Sequence, residues 1–331
     1  MKKLINSPET VVDEMLDGMV AAYPDTLRRL DDTTVMVRAD APVDGKVGVV
    51  SGGGSGHEPT HAGFLGEGML DGAAAGEIFT SPTADQLNEM IQACDSGEGV
   101  LCVVKNYEGD VMKFETAGEM AEMEDIEVRQ VVVNDDVAVE DSLYTSGRRG
   151  VAGTIFVHKV AGAKAAEGAD IGEVERVANK MIDNVATMGV ALTSCVTPDK
   201  GEPTFDLPED EIELGIGIHG EPGTERVDMM TADEITDHLT EKVLDDLDLD
   251  AGQEIITLVN GMGGTPQSEL FVVNKKLQEI VGDHGLDTWD AWVGDYMTSL
   301  DMMGCSVTVA AVDDELKELL TAPADTPAFT V

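Results

Sequence analysis

The stretch KVGVVSGGGSGHEPTH, residues 46–61, joins a short apolar run to a glycine-rich segment and two histidines. The run 46–50 has the length and composition of a buried strand, and we predict that it ends in a loop where the glycines begin. A glycine loop at a strand end is typical of small-ligand and phosphate sites, because backbone N–H groups can approach a ligand closely there. The same stretch ends in H-E-x-x-H, the pattern of zinc proteases, so two kinds of site compete for it.

A zinc site of that type requires both histidines on one face of a continuous helix. The residues before His57 are glycines and serines, and Pro59 lies between the histidines, so a helix interior is implausible there. Pro59 instead suits the first turn of a helix that starts after His57, which leaves His57 on a loop and His61 on the helix. No further cluster of ligand residues stands out in the sequence, and we therefore favour the glycine loop.

Strand-like and helix-like stretches alternate along the whole chain, which predicts an α/β fold of two domains, each a sheet covered by helices. At about 150 residues per domain, 331 residues divide into domains 1–187 and 188–331. The predicted strands are 46–50, 100–104, 128–133, 191–196, 213–219, 254–260, 289–297 and 306–312. The predicted helices are 9–22, 84–94, 110–122, 150–167, 171–187, 231–246, 267–281 and 313–321.

The charge of the chain is extreme. Sixty-five acidic residues face 21 basic ones, which gives a formal net charge of −44. Such self-repulsion destabilises a compact fold at low ionic strength, whereas salt at 1 M screens it within about 3 Å. We expect a solvated acidic surface suited to a salt-rich cytoplasm; an acidic face for a basic partner is the less favoured alternative, because the acids are spread along the chain. Nucleic acid is disfavoured as a partner, since no basic stripe is present.

The cysteines and the apolar runs indicate an intracellular location. Four cysteines lie far apart without a C-x-x-C pair, so we predict buried, reduced thiols. The first residues carry two lysines but no apolar stretch after them, so no secretory signal is expected. No apolar run approaches the ~20 residues of a membrane span, and we expect a cytoplasmic protein.

A second candidate site follows the strand at 100–104, in the stretch KNYEGD. Asp110 alone would be a helix N-cap, but with His57 on a neighbouring loop it forms a potential acid–base pair. Lys105 could donate a hydrogen bond to a ligand oxygen. His57 could equally do no more than cap its loop. The chain has no GxxxxGK[ST] sequence, which excludes a P-loop nucleotide site.

Two further glycine-rich stretches follow predicted strands in the second half. GIGIHGEPG (215–223) contains a literal G-x-G-x-x-G, but the Glu-Pro-Gly that follows begins a helix poorly, so dinucleotide binding is weakly indicated. What remains is His219, accessible between glycines at a strand end, as suits a nucleophile or a ligand contact. For NGMGGTP (260–266), plain turn chemistry is at least as good an explanation.

Several stretches together resemble one known family, the substrate-binding (DhaK) subunits of dihydroxyacetone kinase. The resemblance rests on five segments that occur in order between residues 46 and 312, and the acidic excess is similar to that of a member from a halophilic archaeon. The segments are SGGGSGHEPTHAGFLGEGMLDGAAAGEIFTSPTADQ, VKNYEGDVMKF, GIHGEPG, LVNGMGGTP and VGDYMTSLDMMGCSVT.

The resemblance implies an architecture and a set of roles. It implies two α/β domains, the first similar to the mannose-type phosphotransferase enzyme IIA, and a homodimer. It assigns His219 the attack on the carbonyl carbon of dihydroxyacetone, which gives a covalent hemiaminal, and it gives His57 and Asp110 the proton chemistry at the hydroxyl that receives the phosphoryl group. The residues that would hold the substrate are Gly54, Ser55, Gly56 and Lys105, besides His57, Asp110 and His219.

The resemblance also implies partners. ATP-dependent members carry a further all-helical nucleotide domain, whereas this chain stops at Val331. We therefore expect no cofactor in this chain and a separate DhaL-type subunit that holds ADP or ATP with magnesium. A DhaM-type protein would rephosphorylate that nucleotide from phosphoenolpyruvate. The alternatives are a split-subunit kinase that exchanges ATP, and a non-catalytic coactivator that senses dihydroxyacetone; His57 and Asp110, retained beside His219, argue against the coactivator.

Overall fold

The computed structural model describes residues 2–139 and 146–331, which form two six-stranded sheets and their helices. The helices are α1 (Val11–Ala22), α2 (Ala84–Cys94), α3 (Glu108–Glu122), α4 (Thr154–Ala166), α5 (Ile171–Ile182), α6 (Ala232–Leu247), α7 (Gln267–Asp283) and α8 (Asp314–Thr321). The strands are β1 (Leu27–Arg29), β2 (Val35–Arg38), β3 (Gly48–Ser55), β4 (Gly72–Ile78), β5 (Val100–Lys105), β6 (Val128–Val133), β7 (Val185–Ala191), β8 (Glu211–Leu214), β9 (Glu225–Asp228), β10 (Glu254–Gly261), β11 (Asp287–Gly294) and β12 (Gly304–Ala311).

The first sheet has the order β1-β2-β4-β3-β5-β6. Strands β4, β3, β5 and β6 are parallel, and β1 and β2 extend the sheet in antiparallel fashion. Alternate residues of its central strands enter different cores: Leu101 and Val103 pack on the side of α4 and α5, and Cys102 and Val104 on the side of α2 and α3. Because both faces are covered, the strands are apolar along their length, as the sequence indicated.

The second sheet has the order β11-β10-β12-β7-β8-β9, in which only β10 and β11 are parallel. Helices α6 and α7 cover one face, where Ile255 and Val259 are buried with them. The opposite face contributes Ile256 and Leu258 to the large core that also contains α4 and α8. The predicted fold class, two helix-covered α/β sheets, is therefore confirmed.

Helix α4 is the central element of the molecule. Eleven of its thirteen residues are buried, which is the pattern of a helix enclosed on all sides. Its apolar side chains belong to one continuous core with residues of both sheets. The two halves of the chain therefore share a core rather than each enclosing its own, and this fixes the position of one sheet relative to the other.

The segment around the predicted domain boundary differs from the sequence-based expectation. The helix predicted for 171–187 ends at Ile182, and the strand predicted for 191–196 is instead β7, which begins at Val185. All seven residues of β7 are buried, and its register with β12 places it inside the second sheet. The chain thus changes sheet just before Val185, so the predicted boundary between residues 187 and 188 falls within a strand.

The remaining elements lie close to their predicted positions, with one shortened strand and four unpredicted ones. The strand predicted for 213–219 is limited to β8, because Gly215 takes a φ of 71° and turns the chain out of the sheet. Strands β1, β2, β4 and β9 were not predicted from the sequence. The four cysteines are buried free thiols, as predicted. No helix within 2–139 or 146–331 combines the length and apolarity needed to cross a membrane.

Candidate active site

The glycines after the first apolar run belong to a strand and not to a loop. Strand β3 continues to Ser55, and its glycines pair in parallel with β4. They are needed for close packing: a Cβ added to Gly52 would lie 2.8 Å from the carbonyl oxygen of Ala74, and one on Gly54 would lie 2.5 Å from the backbone nitrogen of Thr80. The turn comes only at Gly56, whose φ is 105°. The predicted glycine loop is therefore wrong in position, because a buried strand without side chains resembles a loop in sequence.

The helix predicted to start at Pro59 is also absent. Residues 58–61 form a turn, and a single 3-10 turn, Ala62–Phe64, follows. Glu58 stabilises this turn, because its carboxylate accepts a hydrogen bond from the backbone N–H of Gly56 at 3.1 Å. His57 and His61 therefore do not share a helix face, which removes the geometric basis of the zinc interpretation. Within the described ranges, no group of three His, Cys, Asp or Glu side chains is arranged to hold a metal ion.

A buried cluster of Lys105, His61 and Asp110 lies beside Gly53. Lys105, the last residue of β5, is fully buried, and its Nζ would lie 2.6 Å from a Cβ on Gly53. Nζ lies 2.7 Å from Nε2 of His61 and 4.0 Å from Oδ2 of Asp110. Asp110 lies in the first turn of α3, 3% exposed, and its Oδ1 has no hydrogen-bond partner. The structure thus brings the predicted Lys105 and Asp110 together around the missing side chain of Gly53.

His57 follows β3 and is buried. Its Nδ1 lies 2.8 Å from the carbonyl oxygen of Thr298, which can only accept, so the ring proton is on Nδ1. Its Nε2 therefore carries the lone pair, and this atom has no partner. Burial, and then repulsion by His219 and Lys105, holds the pKa of His57 well below its ordinary value. The result is a neutral imidazole whose free nitrogen can accept a proton from a ligand.

His219 reaches the site from the second sheet, on the turn that follows β8. Its Nδ1 lies 2.7 Å from Oε1 of Glu221, and the other carboxylate oxygen accepts from the backbone N–H of His219 at 3.0 Å. Burial opposes ionisation of Glu221, but His219 and Arg149 outweigh it and lower the pKa of the carboxyl to about 2. A carboxylate that holds the Nδ1 proton leaves Nε2 of the neutral ring as a lone-pair nitrogen. This is the arrangement of a nucleophile.

The two histidine rings meet where the two sheets adjoin. Their centroids lie 4.7 Å apart, with the ring planes at 76°. Phe79 stacks on His57 at 5.1 Å, and Tyr107 contacts His219 edge-on at 4.6 Å. Tyr107 lies between Lys105 and Asp110 in the chain, so its contact with His219 places the two histidine rings beside these residues, and the predicted residues form one site. That site lies at the C-terminal ends of β3 and β5, where ligands of α/β sheets bind.

The predicted substrate-holding residues of β3 have mainly backbone partners. Ser55 donates its hydroxyl to the carbonyl oxygen of Gly76 at 2.6 Å. Gly54 packs against the backbone at Thr80, while Gly53 is the glycine that faces Lys105 and Asp110. Substrate contacts from residues 54–56 remain a prediction, and Gly53 is an addition that the same run of glycines could have suggested.

Sequence reasoning missed several residues that shape the site. Glu221 lies two positions from His219 and could have been found as a carboxylate next to a nucleophile candidate. Arg149 had no such signal: it is fully buried, bonds Asp136 at 2.7 Å, and donates to the carbonyl oxygen of Gly215 at 2.8 Å. It thereby fastens the turn that carries His219. The partner of His57, the carbonyl of Thr298, also gave no signal, because any residue type supplies a carbonyl.

Comparisons with known proteins match the chain to one family model and to several similar proteins. The family model described as the Dak1 domain matches residues 17–328. A protein of Listeria innocua named PTS-dependent dihydroxyacetone kinase 1, dihydroxyacetone-binding subunit DhaK, is 49% identical over 330 residues, 99% of this chain and 100% of that protein.

Two solved structures are similar along nearly the whole chain. One is the dihydroxyacetone kinase operon co-activator Dha-DhaQ, with a TM-score of 0.90 and 36% identity over 96% of this chain and 98% of that one. The other is the dihydroxyacetone kinase of C. freundii, with a TM-score of 0.92 and 33% identity. This match covers 99% of the present chain but 60% of the C. freundii chain.

Glu221→Gln tests the charge assigned to the buried carboxylate. The pKa of Glu221 is lower in the folded state, about 2, than its ordinary value of 4.5, so its ionisation stabilises the fold above pH 4.5 and that stability is lost as the pH falls toward 2. We expect the difference in unfolding free energy between wild type and variant to shrink by about 3 kcal/mol over that range. Urea unfolding of both proteins at constant salt measures it. A difference that stays constant with pH would contradict the assignment.

Proposed function

This chain belongs to the Dak1 domain family, and on that premise we propose that it is the dihydroxyacetone-binding subunit of a dihydroxyacetone (glycerone) kinase. One observation carries the proposal: Nε2 of His219 is left free by the Nδ1–Glu221 hydrogen bond, and it lies beside the buried neutral ring of His57. The named relative with 49% identity, described as a dihydroxyacetone-binding subunit, supports the same substrate.

The first step is covalent capture of the ketone. The lone pair of His219 Nε2 attacks the carbonyl carbon, the C=O π pair moves to the oxygen, and a C–N bond forms. The ring becomes an imidazolium, which the Glu221 carboxylate stabilises through Nδ1. Loss of one ring proton and protonation of the new alkoxide give the neutral hemiaminal. Lys105, a buried ammonium at the end of β5, is a donor for that oxygen.

The second step is activation of a terminal hydroxyl of the captured substrate. His57 has the free Nε2 and the low pKa of a neutral base, and the free Oδ1 of Asp110 supplies a second acceptor. One of them takes the hydroxyl proton while the hydroxyl oxygen forms a bond to the incoming phosphorus. The bond from that phosphorus to the oxygen of its donor breaks in the same step, and the leaving group stays with the donor. Covalent capture fixes that hydroxyl in place, and positioning is the main requirement of phosphoryl transfer. It also explains selection of ketones over polyols, because a polyol has no carbonyl to attack.

The phosphoryl donor is assigned to other proteins. We infer a DhaL-type subunit that holds ADP or ATP with magnesium, and a DhaM-type protein that recharges it from phosphoenolpyruvate; the words "PTS-dependent" in the name of the Listeria relative support this arrangement. The dihydroxyacetone kinase of C. freundii is described in complex with AMP-PNP and Mg2+, and this chain covers 61% of that chain. The part of the C. freundii chain that has no counterpart here is where we place nucleotide binding. A homodimer, a cytoplasmic location and likeness of the first half to the mannose-type enzyme IIA complete the proposal.

A second candidate function is that of a dihydroxyacetone-sensing coactivator, favoured by the structural likeness to the co-activator with a TM-score of 0.90. A sensor needs only the hemiaminal histidine. Here His57 and Asp110 both keep unpartnered acceptor atoms in the site, which a sensor does not require. That observation favours the kinase subunit.

His219→Ala tests the covalent step. Removal of Nε2 abolishes the C–N bond, so the mass increase of the intact protein on incubation with dihydroxyacetone should disappear. His284→Ala is the control, because that histidine lies on the surface and its nearest acidic partner is Glu241, at 3.5 Å. The control should keep the full mass increase. An adduct that persists in His219→Ala would refute the assignment of the nucleophile.

Reconstitution tests the kinase reaction and its donor. The protein is mixed with a DhaL-type subunit and dihydroxyacetone, and either ATP or a phosphoenolpyruvate-driven cascade is supplied. We expect dihydroxyacetone phosphate with the cascade; product only with excess ATP would support the ATP-exchanging alternative. Asp110→Asn should retain the mass adduct but lose about 10²–10⁴-fold in turnover, as expected for an acid–base residue. Adduct formation without turnover from either donor would favour the sensor.

The charge of −44 leads us to propose that the protein works in concentrated salt, as in a halophilic archaeon. Screening should raise the free energy of unfolding as KCl increases from low concentration to the molar range. Urea unfolding at each KCl concentration measures this. Sucrose is the control, since it strengthens burial without screening charge. A stability that KCl raises no more than sucrose does would argue against electrostatic adaptation.

A further inference from the structure

The histidine that ends the H-E-x-x-H sequence has no part in the function described so far. His61 is 6% exposed and lies on the turn after His57. Its Nε2 is 2.7 Å from the Nζ of Lys105. Among the residues that the structure describes, His61 is the only one whose side chain lies within hydrogen-bond distance of that Nζ atom. The nearest carboxylate oxygen, Oδ2 of Asp110, lies 4.0 Å away.

The direction of this hydrogen bond follows from the protonation state of Lys105. When Lys105 is an ammonium it can only donate, so Nε2 of His61 accepts, and the proton of the neutral ring lies on Nδ1. Burial, and then repulsion by Lys105, keeps the pKa of His61 well below its ordinary value. The Nδ1 atom of His61 is buried and has no hydrogen-bond partner, which lowers the stability of the folded state.

The other groups that face Lys105 cannot replace this acceptor. His57 and His158 lie close enough for their charged forms to repel it, and burial lowers the pKa of both, that of His158 to about 3. Burial lowers the pKa of Lys105, and Asp110, which opposes this effect, does not reach hydrogen-bond distance of the ammonium. Gly53 gives it space and no side-chain partner. Without His61, the buried ammonium would have no close partner, and it would lose its proton or turn toward Asp110.

We propose that His61 is the positioning residue of Lys105: its Nε2 keeps Lys105 protonated and aimed past Gly53, where the ammonium donates to the oxygen of the captured ketone. The inference rests on the proposed function, since it assigns a role in the same covalent step. His61 itself does not contact the reacting atoms. Its contribution is the placement and charge of its neighbour, which a purely structural histidine would not provide.

A matched pair of variants tests the proposal. In His61→Gln, the amide oxygen can take the place of Nε2 and accept from Lys105, whereas His61→Leu fills the space without an acceptor. We expect the dihydroxyacetone concentration for half-maximal mass adduct to rise on the order of tenfold in the leucine variant, as for loss of a hydrogen bond to a charged group, and to change less than about threefold in the glutamine variant.

The pH profile separates positioning from a structural role. If His61 keeps Lys105 charged, the alkaline limb of adduct formation should move to lower pH in His61→Leu and should stay in place in His61→Gln. Equal loss in both variants, with an unmoved profile, would overturn the proposal. So would a leucine variant that binds like wild type. A wild-type protein that forms no adduct at all would instead overturn the proposed function.

A measurement on the unaltered protein covers the case in which the leucine variant does not fold. ¹⁵N spectra of histidine-labelled protein distinguish the two neutral tautomers. The His61 signal, assigned by its loss in His61→Gln, should show a protonated Nδ1 and an unprotonated Nε2 near neutral pH. A proton on Nε2 would mean that His61 cannot accept from Lys105, and the proposal would be wrong.

Discussion

The absence of side chains along β3 is the constraint on which the site depends. Glycines at 52–54 let β4 and the segment after it approach the strand to distances that no Cβ would permit, and at Gly53 the vacated volume holds the ammonium of Lys105. A lysine without exposure to water is tolerated only when partners are within reach, and here His61 and Asp110 supply them from two other elements. A methyl group at position 53 would displace the charge that the proposed chemistry requires.

Both histidines of the proposed reaction have their tautomer fixed in the same way, by a hydrogen-bond acceptor at Nδ1. His57 donates to the carbonyl of Thr298, and His219 donates to the carboxylate of Glu221. Each bond leaves Nε2 as a lone-pair nitrogen, but the acceptors differ in charge. The neutral carbonyl leaves a weak base suited to taking a proton, whereas the carboxylate stabilises the positive ring that forms when His219 attacks a carbonyl. Their roles in the proposed reaction follow from this difference.

The fold brings these groups together through a core that both sheets share. Helix α4 is buried in a core to which residues of both sheets belong, and this core sets the position of the second sheet relative to the strands that lead to His57 and Lys105. Arg149, just before this helix, bonds Asp136 and the carbonyl of Gly215, and so connects the first half of the chain to the histidine turn. The site is therefore assembled from residues of both halves of the chain.

The sequence by itself predicted helices at the places of α1 to α8, the helix-covered sheets, and four of the residues that meet in the site, His57, Lys105, Asp110 and His219, because strand ends and glycine-rich turns have local signatures. The further helix that it predicted to start at Pro59 is absent. It did not reveal that the glycines continue the strand, since a strand without side chains carries no periodicity. It placed β7 six residues late, because 171–187 suits a helix until pairing with β12 decides otherwise. Only the tertiary structure decided which nitrogen of each histidine is free and that His61 faces Lys105. Those facts depend on carbonyl and carboxylate groups and on side chains that other parts of the chain bring into contact. A local sequence pattern does not contain this information.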